Sequence, residues 1–274
     1  VFASVIRVIV ALALVYIVLL IVLWHYQERV AFPAPRARLP AGDRVDLTLK
    51  DGTPLAGLYL APPPGSRQAP GLVWFYGNGE NISAMWSVIR DFRPPEAALV
   101  VVDYPGYGAS GGTTSEAGLY ETAALAYDAL VAKPEVDPAR IVLYGRSLGT
   151  APASWLARHR PVAGLVLESP FTNAREMARQ QYALFPRFIV RLALDNLGNV
   201  PAVQAPVLII QGTADRLVPP SMGQRLAAAA RGPVELLSIE HAGHNDTYDV
   251  GGEAYRDRVW SFVRRVTQRP VRSP

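Results

Sequence analysis

The hydrophobic pattern falls into two regimes. Residues 8–24, VIVALALVYIVLLIVLW, carry no charged or strongly polar side chain. With the preceding VFASVIR, interrupted only by Ser4 and Arg7, the run exceeds the roughly 20 residues a helix needs to cross a bilayer core. Arg7 lies near one end, where it can reach head groups. Trp24 and Tyr26 stand at the other end, as interfacial aromatics do. Residues 1–26 therefore read as a single-pass transmembrane anchor. The alternative is a cleaved signal peptide, with a shorter apolar region and a cleavage site marked by small residues. The sequence WHYQERVAFP is a poor match to such a site. Arg7 on one flank and Arg29, Arg36, Arg38 and Arg44 on the other leave the side of the membrane undecided. Residues 27–43 hold three prolines and read as an extended linker.

After the linker the pattern becomes short apolar runs separated by amphipathic stretches. The runs are 45–49, 55–60, 72–76, 98–102, 141–144, 163–167, 206–210 and 234–239. Lys50-Asp51-Gly52 between the first two predicts a hairpin. The later runs are continuous and rich in Val, Leu and Ile, as in strands buried on both faces of a parallel sheet. Helical patterns lie near 81–91, 115–132, 148–159, 221–230 and 252–266. The alternation predicts a doubly wound α/β domain over 44–268, a mostly parallel sheet of about eight strands flanked by helices. Ligands of such sheets gather beyond the carboxyl ends of the strands.

Composition narrows the chemistry. The 274 residues carry a net charge of +4, no cysteine and four histidines. A thiol nucleophile, disulfides and cysteine-based zinc sites are excluded. No basic run with interleaved aromatics suggests nucleic-acid binding. No HExxH pair is present, and no cofactor or metal is implied.

Gly145-Arg146-Ser147-Leu148-Gly149 satisfies G-x-S-x-G between a predicted strand and a predicted helix. That context suits a nucleophile on a sharp, strained turn, with neighbouring glycines removing clashes. An ordinary serine N-cap is the plainer reading. A nucleophilic serine needs a base, and the base an orienting acid. Asp215 follows the run at 206–210 and His244 follows the run at 234–239, in the order Ser, Asp, His. Glu168 is the rival acid and His241 the rival base. The loop Tyr76-Gly77-Asn78-Gly79-Glu80 is placed to supply an oxyanion N–H. The N–H groups of Asn78 and Leu148 are the candidates, with Gly79 in reserve.

The strings FYGNGE, VVDYPGYGAS, YGRSLGT, ESPFTN, DNLGNV, QGTADRLVP and HAGHND occur in one order. Residues 40–265 resemble the α/β-hydrolase fold. These strings resemble the membrane-tethered α/β-hydrolase-domain proteins related to the bud-emergence proteins of yeast. Relatives of that group include lysophospholipases and enzymes that remove palmitate from proteins. The resemblance implies Ser147, Asp215 and His244 as a catalytic triad. Tyr76 stands where the group more often has His, and the DYPGYG loop reads as a shaped turn walling the pocket.

Residues 170–199 occupy the usual cap position. They mix Phe171, Met177, Tyr182, Leu184, Phe185, Phe188, Ile189, Leu192 and Leu194 with Arg175, Arg179, Arg187 and Arg191. An acyl-binding cap resting on anionic lipid fits that mixture, and so does plain packing of a cap helix. The expectation is a membrane-anchored serine hydrolase acting on acyl esters or thioesters. A peptidase of the same fold and an inactive membrane-bound binding protein are the alternatives. Because the domain has a full set of strands, a chain beginning near residue 40 is expected to fold alone.

Overall fold

The computed structural model describes residues 2–182 and 186–268. Leu184, Phe185 and the side chain of Arg187 lie outside the described residues. The first element, α1 (Phe2–Ala31), is one helix with no buried residue, long and apolar enough to cross a membrane. It continues five residues past the anchor boundary expected at 26.

The eight strands are β1 (Asp43–Thr48), β2 (Pro54–Leu60), β3 (Ala69–Phe75), β4 (Ala98–Val102), β5 (Val136–Arg146), β6 (Gly164–Glu168), β7 (Val207–Gly212) and β8 (Val234–Ile239). They form one sheet in the order β1-β2-β4-β3-β5-β6-β7-β8. Strand β2 runs antiparallel to both its neighbours, and every other pairing is parallel. The β1–β2 hairpin closes through Gly52 N–H to the Leu49 carbonyl at 2.9 Å, with Gly52 at φ 87°. Strand β5 begins five residues earlier than its apolar run, and its register against β3 shifts between Ala69 and Gly71.

The helices are α2 (Ile82–Phe92), α3 (Glu116–Val131), α4 (Thr150–His159), α5 (Ala174–Gln181), α6 (Asn196–Asn199), α7 (Pro220–Ala229) and α8 (Thr247–Thr267), the last kinked at Gly252. Side chains of α2, α3, α4, α7 and α8 join the sheet in one hydrophobic core. Strands β3, β4, β6 and β7 are buried throughout, as continuous apolar runs demand. The cap between β6 and β7 consists of α5, a 3-10 turn at Arg187–Ile189 and α6.

The segment read as an extended linker packs on the domain. Phe32 is only 5% exposed and belongs to the core. Arg36 Nη1 donates to the carbonyl of Gly106 at 3.0 Å and to that of Ser110. Gly108 N–H donates to the Pro35 carbonyl at 2.9 Å, and Ala37 N–H to that of Gly108 at 3.1 Å. Prolines that remove N–H donors leave carbonyls able to accept, so an extended Pro-rich strand can still be tied down.

Candidate active site

Ser147, Asn78, Asp215 and His244 all follow the carboxyl ends of parallel strands: β5, β3, β7 and β8. Ser147 has φ 48°, a left-handed conformation that costs a non-glycine residue energy and marks a constrained turn. A 3-10 turn at Ser147–Gly149 leads directly into α4. The flanking glycines are obligatory here. A Cβ on Gly145 would stand 2.4 Å from the Gly149 carbonyl oxygen, and one on Gly149 would stand 2.1 Å from that of Phe75.

His244 Nε2 lies 2.9 Å from Ser147 Oγ, and its Nδ1 lies 2.8 Å from Asp215 Oδ2. A carboxylate only accepts, so Nδ1 carries the proton and Nε2 is free to accept from the serine. The His244 side chain is 8% exposed and that of Asp215 fully buried. Asp215 is held on both oxygens. Oδ1 accepts from the N–H of Leu217 at 2.9 Å and of Val218 at 2.8 Å, and Oδ2 accepts from Gln211 Nε2 at 3.1 Å. This line of hydroxyl, imidazole and carboxylate can make a serine nucleophilic.

Neither rival joins this line. His241 is exposed. Glu168 is fully buried and accepts from Tyr144 Oη at 2.8 Å, Tyr248 Oη at 2.5 Å and Thr247 Oγ1 at 2.5 Å. Its charge faces Arg146 Nε at 3.6 Å.

Arg146, the variable residue of the G-x-S-x-G motif, was not singled out by sequence reasoning. Its Nη1 donates to Glu80 Oε1, and its Nη2 to the His244 carbonyl at 2.9 Å and to Asn245 Oδ1 at 3.3 Å. Glu80 Oε2 in turn accepts from the N–H of Gly77 at 2.6 Å. One guanidinium thus ties the serine turn to the loop after β3 and to the histidine loop. Burial opposes its charge, but the carboxylates of Glu168 and Glu80 outweigh that, and Arg146 is held protonated more firmly than an ordinary arginine.

The N–H of Leu148 sits in the first turn after the strand, where helical N–H groups have no partner within the helix. Asn78 lies across from it on the same cleft. The Asn78 side chain is clamped: Tyr107 Oη donates to its Oδ1 at 2.5 Å, and its Nδ2 donates to the Ala31 carbonyl at 2.7 Å. Burial pushes the Tyr107 hydroxyl up to about 12, so it stays a donor. Tyr76 also has a fixed role. Its hydroxyl donates to Asp103 Oδ1 at 3.0 Å and accepts from the N–H of Tyr104 at 3.0 Å, bracing the DYPGYG turn against β3.

The sequence of the alpha/beta hydrolase fold family matches residues 70–203. Human alpha/beta hydrolase domain-containing protein 17B is 31% identical over 246 residues, covering 88% of this chain and 78% of that one. The chain belongs to the alpha/beta hydrolase family. An uncharacterized protein of Mycobacterium tuberculosis is 35% identical to this hydrolase over 251 residues, covering 88% of each. Among solved structures, the Pyrococcus furiosus esterase Pf2001 matches it with a TM-score of 0.70 at 21% identity, covering 86% of this chain and all of that one. Est1E from Butyrivibrio proteoclasticus matches with a TM-score of 0.68 at 17% identity, covering 82% and 99%. These likenesses are to the fold.

The serine opens into a cleft of about 520 Å³. Its walls are mostly apolar and come from the cap (Phe171, Met177, Ile189, Leu192) and from the end of α1. Sequence reasoning assigned α1 no part in the site. The available signal was the pair Gln27 and Glu28 at helical spacing from Leu20 and Leu23, which the apolar run obscured.

Proposed function

We propose that this hydrolase is a membrane-anchored serine esterase or thioesterase acting on acyl-chain substrates through an acyl-enzyme on Ser147. The observation that carries the reading is the hydrogen-bonded line from Ser147 Oγ to His244 Nε2 and from His244 Nδ1 to Asp215, at the mouth of an apolar cleft. Ser147 Oγ attacks the carbonyl carbon and passes its proton to His244 Nε2. Asp215 stabilises the imidazolium by accepting from Nδ1. The carbonyl oxygen takes the negative charge and is met by the N–H groups of Leu148 and Asn78. The carbon–oxygen or carbon–sulfur bond then breaks, and the alcohol or thiol leaves with the proton from Nε2. Water attacks the serine ester, gives its proton to His244, and the carboxylic acid departs as Ser147 recovers its proton.

The anchor reading rests on the length and apolarity of α1 and on its complete lack of buried residues. A buried helix of a water-soluble core would hide one face.

Ser147→Ala provides the test. The variant is expected to keep the wild-type circular dichroism spectrum and lose turnover of an activated ester by about three orders of magnitude or more. Labelling of wild type by a fluorophosphonate, absent in the variant, completes it. Turnover near wild type in Ser147→Ala would remove the serine from the mechanism. Faster cleavage of peptides than of esters would turn the reading to a peptidase.

A further inference from the structure

Along α1 only Leu20, Leu23, Gln27, Glu28 and Ala31 are partly covered, and the rest of the described helix is exposed. Their spacing of three, four, one and three residues places them on one helical face. That face meets the cap. Gln27 Oε1 accepts from the N–H groups of Arg191 at 2.8 Å and Leu192 at 3.2 Å, while its Nε2 donates to the Ile189 carbonyl at 3.4 Å. The Arg191 guanidinium lies 4.5 Å over the Trp24 ring. The contact leaves an apolar slot between helix and cap. Leu23 and Val30 line one side, and Met177, Ile189 and Leu192 the other.

The slot has a direction. Its inner end is fixed by Ala31, whose carbonyl binds the Asn78 side chain beside the serine. Its outer end is at Leu23, next to Trp24. The two ends are separated by about 12 Å of helix. Aromatic residues at the end of a spanning segment sit at head-group level, so the slot opens where the bilayer begins. Exposed apolar side chains adjoin the slot lining and suit lipid better than water: Val30 is 60% exposed, and Phe188, next to Ile189, is 81% exposed. Arg175, Arg179 and Arg216 are also exposed, and they supply the cations that anionic head groups attract.

We propose that the slot is an acyl-chain subsite with the membrane helix as one wall, loaded sideways from the bilayer. The acyl chain of a lipid-embedded ester or thioester passes Leu23 at the interface and lies along α1, with its carbonyl at Ser147. Entry by this route spares the chain a passage through water, a saving that grows with every methylene. The proposal rests on the hydrolase reading above and extends it to how the substrate arrives.

The test uses full-length protein in phosphatidylcholine vesicles. Val30→Trp and Leu23→Trp narrow the slot from the α1 side, at positions exposed enough to accept a larger side chain. Each is expected to lower the ratio of kcat/KM for a palmitoyl ester to that for a butyryl ester by about tenfold, the scale of a misfitted hydrophobic pocket. An unchanged ratio in both variants would overturn the subsite. A binding arm separates this from failure of the chemistry. Ser147→Ala protein is exposed to a palmitoyl ester with a photoreactive diazirine at the chain end. Crosslinks to cap peptides 171–182 and 188–194 are expected, and they should disappear when Val30→Trp is added. Cap crosslinks that survive Val30→Trp, or crosslinks confined to residues 2–19, would overturn the proposal. Cap crosslinking that depends on Val30, in a protein whose wild type turns over no ester, would keep the subsite and reject the hydrolase reading.

Discussion

Asn78 Nδ2 donates to the carbonyl of Ala31 at 2.7 Å. The last residues of a helix leave carbonyls without an intrahelical partner. Here one of those carbonyls is satisfied by the loop that presents the proposed oxyanion donor. The end of α1 and the proposed reaction centre are therefore one bonded unit. Asn78→Ala keeps the backbone N–H but removes both side-chain clamps. It is expected to lower kcat by about tenfold, less than the roughly hundredfold cost of losing a donor outright. Steady-state kinetics on a short ester measure this directly, and an unaltered kcat would show that the loop holds its shape without Asn78.

In the proposed mechanism Asp215 and Glu168 have different tasks, and their amide variants should part accordingly. Asp215→Asn favours the wrong imidazole tautomer and is expected to lower kcat by about four orders of magnitude with little change in melting temperature. Glu168→Gln leaves the buried Arg146 charge poorly compensated and sets an NH₂ group against three hydroxyl donors. Its expected cost is in stability, about 3 kcal/mol. Melting curves alongside kcat separate the two, and a larger loss of kcat at Glu168 would move the acid to β6.

A chain beginning at residue 40 is expected to fold on its own full set of strands but to be less stable than the full chain. It lacks Phe32, whose truncation alone carries a cost of about 3 kcal/mol, and Arg36, which donates to the carbonyls of Gly106 and Ser110. Phe32→Ala and Arg36→Ala in the full-length protein isolate those contributions. If the shortened chain melts with the full one, the packing of 32–39 contributes nothing to stability.

Glu96 and Arg264 join the turn before β4 to the end of α8, Nε to Oε1 at 2.7 Å and Nη2 to Oε2 at 3.2 Å. That hydrogen bonding holds the Glu96 carboxyl below its ordinary 4.5, against a weaker opposing effect of burial. A carboxyl whose folded pKa is depressed adds stability above its unfolded value and loses it as pH falls through the folded value. The advantage of wild type over Glu96→Gln is therefore expected to be present at neutral pH and to vanish with acidification below 4.5. The pair is largely exposed, so that advantage is under about 1 kcal/mol. Melting temperatures of both proteins across the acid range check it.

The sheet was legible because strands buried on both faces must be apolar throughout, and each of the eight runs overlaps a strand of the structure. The start of β5 was hidden by Pro138 in VDPAR, which interrupts the apolar pattern while the register shift against β3 accommodates it. Ser147, Asp215 and His244 were placed by their positions after strand ends, a topological argument that needs no side-chain contacts. Arg146 and Glu80 were not legible. A lone arginine at a strand end and a lone glutamate in a loop look solvated until the fold brings them together. Gln27 was hidden for the opposite reason: the membrane pattern explained its neighbourhood so well that a polar residue at its edge drew no attention.

The unbroken course of α1 has a mechanical consequence. A spanning helix adjusts to a thicker or thinner bilayer mainly by leaning. With no hinge between Phe2 and Ala31, and with Gln27 and Ala31 bonded to the α/β domain, a lean of the helix is a lean of the domain. With α1 spanning a bilayer as proposed, the attitude of the domain over the membrane would be set by lipid thickness, and two membranes of the same chemistry and different depth would hold the domain at different angles.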